Sequence, residues 1–185
     1  MHKSTTHSER ILAAADKLFY EQGIRSVGVD TIAARAGVSK RTLYNYFPTK
    51  DDLIAAYLTA RFKHVEASDA PAREQILGYF DRLEKMMSDS GFRGCPYVNA
   101  VAEISDRKHA AIGIAVRFKE ERVRWYKTLL ERMAVADPQG LAMQLQILVE
   151  GAIASALVRD DPSFGRSARA AAEVLLDAAS RKTRK

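Results

Sequence analysis

The sequence predicts an all-α protein. Three features carry that reading. Ala is abundant while Gly (10) and Pro (5) are sparse in 185 residues. Apolar residues recur at helical spacing. No segment rich in Val, Ile and Thr shows the strict alternation of a strand. With 47% hydrophobic residues the chain can bury a substantial core, in one or two domains.

The elements follow in order. Thr6 and Glu9 have capping-box spacing, and Ile11, Leu12, Ala15, Leu18 and Phe19 then share a face, so a first helix spans 7–22 and stops at Gly23. A second covers 29–36, with Ile32, Ala33 and Ala36 inward. Gly37 makes a turn, Ser39 caps a third helix, and Pro48 ends it near Phe47. Thr49 caps a fourth helix whose positive end suits Asp51 and Asp52. Its stripe of Leu53, Ile54, Tyr57, Leu58 and Phe62 carries it to about 67. Ser68-Asp69-Ala70 reads as a boundary. Pro71 opens a fifth helix, broken at 90–94. A short sixth spans 96–105, with Pro96 at its first position. A long seventh covers 108–135, Asp137-Pro138 opens an eighth that ends at Asp160-Asp161-Pro162, and a ninth runs 164–181.

The domain division expected is 1–50 as a helix-turn-helix head, the fourth helix over about 50–67 as connector, and 51–185 as a helical ligand-binding and dimerisation domain.

Charge and composition narrow the function. The net charge is +6 and the pI about 9.5. Residues 1–50 hold eight Lys/Arg against four Asp/Glu, a local +4 that suits a polyanion. Four more basic residues between Arg181 and Lys185 read as a solvated chain end. A lone Cys95 excludes an intrachain disulfide. The N-terminus lacks the apolar run of a signal peptide, and no run of about 18 uninterrupted apolar residues forms a membrane span. A reducing cytoplasm is the simplest location. No nucleophile elbow, Walker loop, His-Glu-x-x-His motif or catalytic carboxylate pair is present, so an enzyme is not expected. His2, His7, His64 and His109 lack metal-ligand spacing, and neither metal nor cofactor is expected.

The third helix carries the functional signal. Leu43 and Phe47, at i and i+4, face the core and leave Lys40, Arg41, Thr42, Tyr44, Asn45 and Tyr46 around the exposed sides. A helix presented after a tight turn enters the major groove of double-stranded DNA. Arg41 and Asn45 suit bidentate bonds to base edges. Thr42 suits a base donor or a thymine methyl. Tyr44, Tyr46 and Lys50 suit phosphates, and Lys40 suits either.

The segments Phe19-Tyr20-Glu21-Gln22-Gly23 and Ile32-Ala33-Ala34-Arg35-Ala36-Gly37-Val38-Ser39-Lys40-Arg41-Thr42-Leu43-Tyr44-Asn45-Tyr46-Phe47-Pro48-Thr49-Lys50 resemble the head of the TetR family of bacterial transcription regulators, over about residues 8–58. The resemblance implies an all-α homodimer of about nine helices per subunit with a C-terminal ligand-binding domain. It places Lys40, Tyr44 and Lys50 at positions that commonly touch DNA. Two positions depart from the family pattern. Arg41 stands where a small residue is common. Gly28-Val29 stands where Thr or Ser often opens the second helix, and a phosphate contact there falls to Thr31 or the backbone.

Beyond residue 60 the resemblance is architectural. An effector site is sought among Phe80, Leu83, Met87, Tyr97, Asn99, Glu103, Arg122, Trp125 and Tyr126, which combine apolar walls with a few polar groups. Cys95 reads more simply as a buried inert thiol than as a redox sensor. Ala152, Ser155, Ala156, Ala168, Ala172, Leu175 and Ala179, on the eighth and ninth helices, are expected at a homodimer interface. The resulting expectation is a ligand-responsive repressor of a palindromic operator, with an unidentified small-molecule effector and no membrane partner. The alternatives are a ligand-independent dimeric DNA binder and an activator.

Overall fold

The structure, a computed structural model, describes residues 6–62, 64 and 68–182. Its described residues form nine helices and no strand: α1 (His7–Gln22), α2 (Val29–Ala36), α3 (Lys40–Tyr46), α4 (Lys50–Ala60), α5 (Ala72–Met87), α6 (Pro96–Glu103), α7 (Ala110–Arg132), α8 (Pro138–Arg159) and α9 (Phe164–Lys182). The all-α expectation holds.

Capping residues set most of these bounds. Thr6 and Glu9 form the expected reciprocal box: Glu9 N donates to Thr6 Oγ1 at 3.2 Å, and Thr6 N donates to Glu9 Oε2 at 2.7 Å. Thr49 and Asp52 form a second box at the start of α4. Asp137 caps α8 through Gly140 N at 2.8 Å. Residues 183–185 of the chain end, with the basic Arg184 and Lys185, and residues 63 and 65–67 of the expected fourth helix lie outside the described residues. Within them α4 is shorter than expected and ends at Ala60. Arg61, the C-cap, still donates its N–H to Tyr57 O at 3.2 Å, and its side chain forms a two-point ion pair with Asp16 of α1 (2.5 and 3.0 Å), the guanidinium lying 4.2 Å from the Tyr20 ring centroid.

The chain divides into two compact units. One comprises residues 1–63 and 95–117, the other residues 64–94 and 118–185. In the first, Ile11, Ala15, Leu18, Phe19, Ile32, Leu43, Leu53, Tyr57 and Leu58 are buried, with Phe19 and Tyr57 edge to face at 5.5 Å. α6 belongs to this unit: Tyr97 is buried and its hydroxyl donates to Leu58 O at 3.2 Å.

In the second unit α5, α8 and α9 pack around Ile76, Phe80, Leu83, Leu145, Val149, Ala172 and Leu176, joined by Tyr126 and Leu130 of α7. Gly165 permits the close approach of α9 to α5, since a Cβ there would fall 2.8 Å from Glu84 Cα. Ala152, Ala156, Ala168 and Ala172 were expected between chains but are buried within the protomer, at 7% exposure or less. Their small side chains let α8 and α9 pack closely on each other. Ser155, Leu175 and Ala179 are half-buried. By length and composition alone α8 is apolar enough to cross a membrane, against the expectation of no such segment. Gln144, Gln146 and Glu150 interrupt its apolar run, which is why a search for uninterrupted residues passes over it. One face of α8 lies in the core, while Met143, Ile147 and Val158 remain exposed on the other.

Candidate DNA-binding surface and effector region

The candidate DNA-facing element, α3, is held from beneath and from its turn. Leu43 is fully buried and Phe47 half-buried, which anchors one side of α3. Ser39 Oγ accepts from Thr42 N at 3.0 Å and caps the helix. Gly37 adopts the left-handed conformation (φ 64°) and closes α2, and Val38 N donates back to Ala33 O at 3.0 Å. Arg10 of α1 latches this turn. Its Nη2 donates to Ala36 O at 2.5 Å and to Gly37 O at 2.8 Å. A Cβ on Gly37 would lie 2.7 Å from that nitrogen, so the latch and the left-handed turn both select Gly. Sequence reasoning found Gly37 and missed Arg10, whose position on α1 carries no motif.

The residues expected at DNA lie on one short helix and its flank. Lys40, Arg41, Tyr44, Asn45 and Tyr46 are exposed, and Thr42 and Lys50 are half-buried. Arg41 and Asn45 form an i, i+4 stripe beside that of Lys40 and Tyr44. Lys40 Nζ pairs with Asp30 at 3.0 Å. The hydrogen bond to Asp30, followed by its charge, holds the Lys40 ammonium above the ordinary lysine value. Thr42 Oγ1 lies 2.8 Å from Ser39 Oγ, and the Tyr46 ring meets His7 edge on at 6.4 Å. Lys50 is turned partly inward: its ammonium donates to Ile24 O at 2.7 Å and lies 5.9 Å from the Phe19 ring centroid. One of its three donors is thus used inside the head.

The nine residues sought for an effector site separate into two groups. Tyr97, Asn99 and Glu103 fall in the first unit with the head. Glu103 accepts from Arg25 N at 2.8 Å, while Arg25 Nη2 donates to Ser105 Oγ at 2.7 Å. These bonds tie the α6 end to the connection between α1 and α2. Phe80, Leu83, Met87, Arg122, Trp125 and Tyr126 fall together in the second unit. There Tyr79 lies 5.8 Å from Trp125 and 5.9 Å from Tyr126, and Arg122 lies 4.6 Å from the Tyr79 ring. Sequence reasoning missed Tyr79, Gln146 and Glu150. The signal for the last two was a polar pair at i, i+4 among the apolar residues of α8. Cys95 is buried. No cluster of potential metal ligands occurs among the described residues.

Comparison with known proteins agrees with this architecture. Residues 11–57 match the model described as bacterial regulatory proteins, tetR family. The transcriptional regulator AcuR of Cereibacter sphaeroides is 35% identical over 89% of this chain and 84% of its own. A crystal structure of a TetR-type transcriptional regulator from Streptomyces avermitilis superposes with a TM-score of 0.83 at 34% identity, covering 95% of this chain and 98% of that one. The transcriptional activator FasR of Mycolicibacterium smegmatis is 27% identical over 76% of this chain, which spans only 52% of FasR. A three-helix head with an exposed α3, on an all-α chain, defines a DNA-binding transcription regulator rather than an enzyme. The chain belongs to the TetR family.

Proposed function

We propose that the chain is a dimeric, effector-released repressor that reads a palindromic operator in the cytoplasm. The observation that carries the reading is the polar, exposed face of α3, held rigidly by Leu43, Ser39 and the Arg10 latch. Arg41, Thr42 and Asn45 read base edges. Lys40, Tyr44, Tyr46 and Lys50 hold phosphates and so fix register. Dimerisation uses the exposed apolar residues Met143, Ile147 and Val158 of α8 with Val174 of α9, which water otherwise covers. Each head then takes one half-site.

Release requires an effector with different affinities for two arrangements of the heads. The second unit supplies the effector region, and α7 supplies a connection, because one continuous helix contributes residues to both units. His109 Nε2, just before α7, lies 3.3 Å from Asp51 Oδ1 of α4. Activation is the second reading, favoured by the similarity to FasR, whose name describes an activator.

The test is selection of genomic fragments by the purified protein, followed by sequencing and transcription in vitro from the recovered promoters. Inverted half-sites one helical turn or a multiple apart, with transcription lowered by the protein, are expected. Enrichment without symmetry overturns the dimeric reading, and raised transcription replaces repression with activation.

A further inference from the structure

The interior of the second unit holds a guanidinium that is short of hydrogen-bond acceptors. Arg122 of α7 is only 8% exposed, and a guanidinium stays protonated at any pH a protein meets. Its carbon lies 4.6, 5.5 and 5.9 Å from the ring centroids of Tyr79, Phe118 and Trp125. Aromatic faces attract the cation, but they do not provide the in-plane oxygen acceptors that guanidinium N–H groups prefer. Nε and Nη1 are buried and have no hydrogen-bond partner. One turn further along α7, Tyr126 is fully buried and its hydroxyl also has no partner. Burial pushes this phenol well above its ordinary value, so it is a neutral O–H donor.

The nearby acid does not answer this demand. Glu150 of α8 takes Lys119 Nζ at 2.6 Å and Gln146 Nε2 on the same carboxylate oxygen. Lys119 therefore already balances its charge. Arg82 adds a further cation 5.9 Å from the Tyr79 ring. Arg122 Nε and Nη1 and the Tyr126 hydroxyl are thus three buried donors without a partner in this unit, against one such acceptor, the neutral amide oxygen Gln146 Oε1. Leaving a buried charge unmatched is costly, and native interiors rarely do so without a ligand or function.

We propose that the second unit binds a small organic carboxylate, whose oxygens accept from Arg122 and Tyr126 and whose carbon skeleton lies against Tyr79, Phe118 and Trp125. The proposal rests on the reading of this unit as the effector region. A cationic ligand is disfavoured because the guanidinium already occupies the aromatic faces. A neutral amide supplies an acceptor but no charge.

Trp125 is the single tryptophan of the chain, so its fluorescence reports on this cluster. The experiment titrates the full-length protein with straight-chain, branched and aromatic monocarboxylates, each paired with its primary amide, and with inorganic phosphate. At least one carboxylate is expected to give a saturable change at millimolar concentration or below, while its amide binds at least about tenfold more weakly. Arg122→Met and Tyr126→Phe are expected to weaken that carboxylate at least about tenfold and about threefold. Without ligand, Arg122→Met should melt no lower than wild type, because it removes an unmatched buried charge of similar volume. A purely structural guanidinium would instead give a lower melting temperature.

No saturable carboxylate, an amide or phosphate that binds as tightly, or unaltered affinity in Arg122→Met overturns the proposal. Operator binding in the same samples separates the two readings. A carboxylate that binds without altering operator affinity sinks effector release while the anion site stands. Operator release by an amide, without carboxylate binding, does the reverse.

Discussion

Replacing Arg10 by Met tests whether the recognition helix is aligned from behind. The substitution keeps the apolar stem and removes the guanidinium bonds to Ala36 O and Gly37 O, at 2.5 and 2.8 Å. A hydrogen bond to a charged group contributes about 1.5–3 kcal/mol where it is well buried. Arg10 is half-exposed and water can reach the freed carbonyls, so the pair together is discounted to about 1–2 kcal/mol. For a chain of this length that is a fall in Tm of about 2–8 °C. If the whole loss appears as freedom of the turn before α3, binding must restore the alignment, and operator affinity falls about 5- to 30-fold.

The assay is a shift titration on a selected operator at several salt concentrations, beside a thermal melt. Arg10 faces the turn carbonyls, so the slope of log affinity against log salt should match wild type. A slope reduced by about 0.9 would mean that Arg10 neutralises a phosphate, and would refute the latch. A lowered Tm with unchanged affinity would show that the latch stabilises the head without aligning it.

Lys50→Met should affect two readouts at once. Losing the bond to Ile24 O lowers Tm by a few degrees, and losing a phosphate partner reduces the salt slope by about 0.9. A change in Tm alone would confine Lys50 to the interior of the head. Ile147 is 64% exposed, so Ile147→Glu should shift sedimentation toward monomer with little change in the monomer's helicity, and an unaltered dimer would move the interface elsewhere. At the start of α1 the Thr6 backbone N–H, then its hydroxyl, hold the Glu9 carboxyl below its ordinary value. A depressed folded-state value stabilises above the unfolded value and is lost as pH falls through the folded one. The Tm difference between wild type and Glu9→Gln should therefore be constant near neutrality and close on the acid side. A gap that persists below the carboxylate range would place its cause elsewhere.

What the sequence made legible is local. Helix starts follow from side chains that reach only three residues, such as Thr6 to Glu9 and Asp137 to Gly140, and Gly37 marks its own turn. Face assignment on α3 follows from Leu43 in the same way. Tertiary partners were not legible. The stripe through Phe62 continues α4 on paper, but Arg61 finds Asp16, which is 45 residues distant. A row of alanines looks alike whether it meets a sister helix or a second chain, and burial within the protomer decides for Ala156 and Ala172. Tyr97, Asn99 and Glu103 have the polarity of a ligand wall, yet Tyr97 and Glu103 spend it on Leu58 and Arg25. Arg122 was named for its residue type. That its Nε and Nη1 find no acceptor is a property of what surrounds it, which spacing cannot encode.

Glu103 is then a candidate for coupling rather than for binding. α4 was the expected connector, but its helix stops at Ala60. α7 runs unbroken from Ala110 to Arg132 and contributes residues to both units. Ahead of it, Glu103 and Ser105 hold Arg25, and His109 lies beside Asp51. An effector that moves Arg122 acts on the same helix whose approach is bound to the head. Glu103→Ala removes the acceptor for Arg25 N while leaving α3 and the Arg122 cluster untouched. Effector affinity in the absence of DNA, and operator affinity in the absence of effector, should each stay within about threefold of wild type. The factor by which either ligand weakens the other should fall about tenfold, a loss of about 1.4 kcal/mol from a coupling typically worth 1–3. Linkage requires the same factor from both directions, so measuring each checks the other. A coupling factor equal to wild type would remove Glu103 from the path and return the lever to the segment after α4.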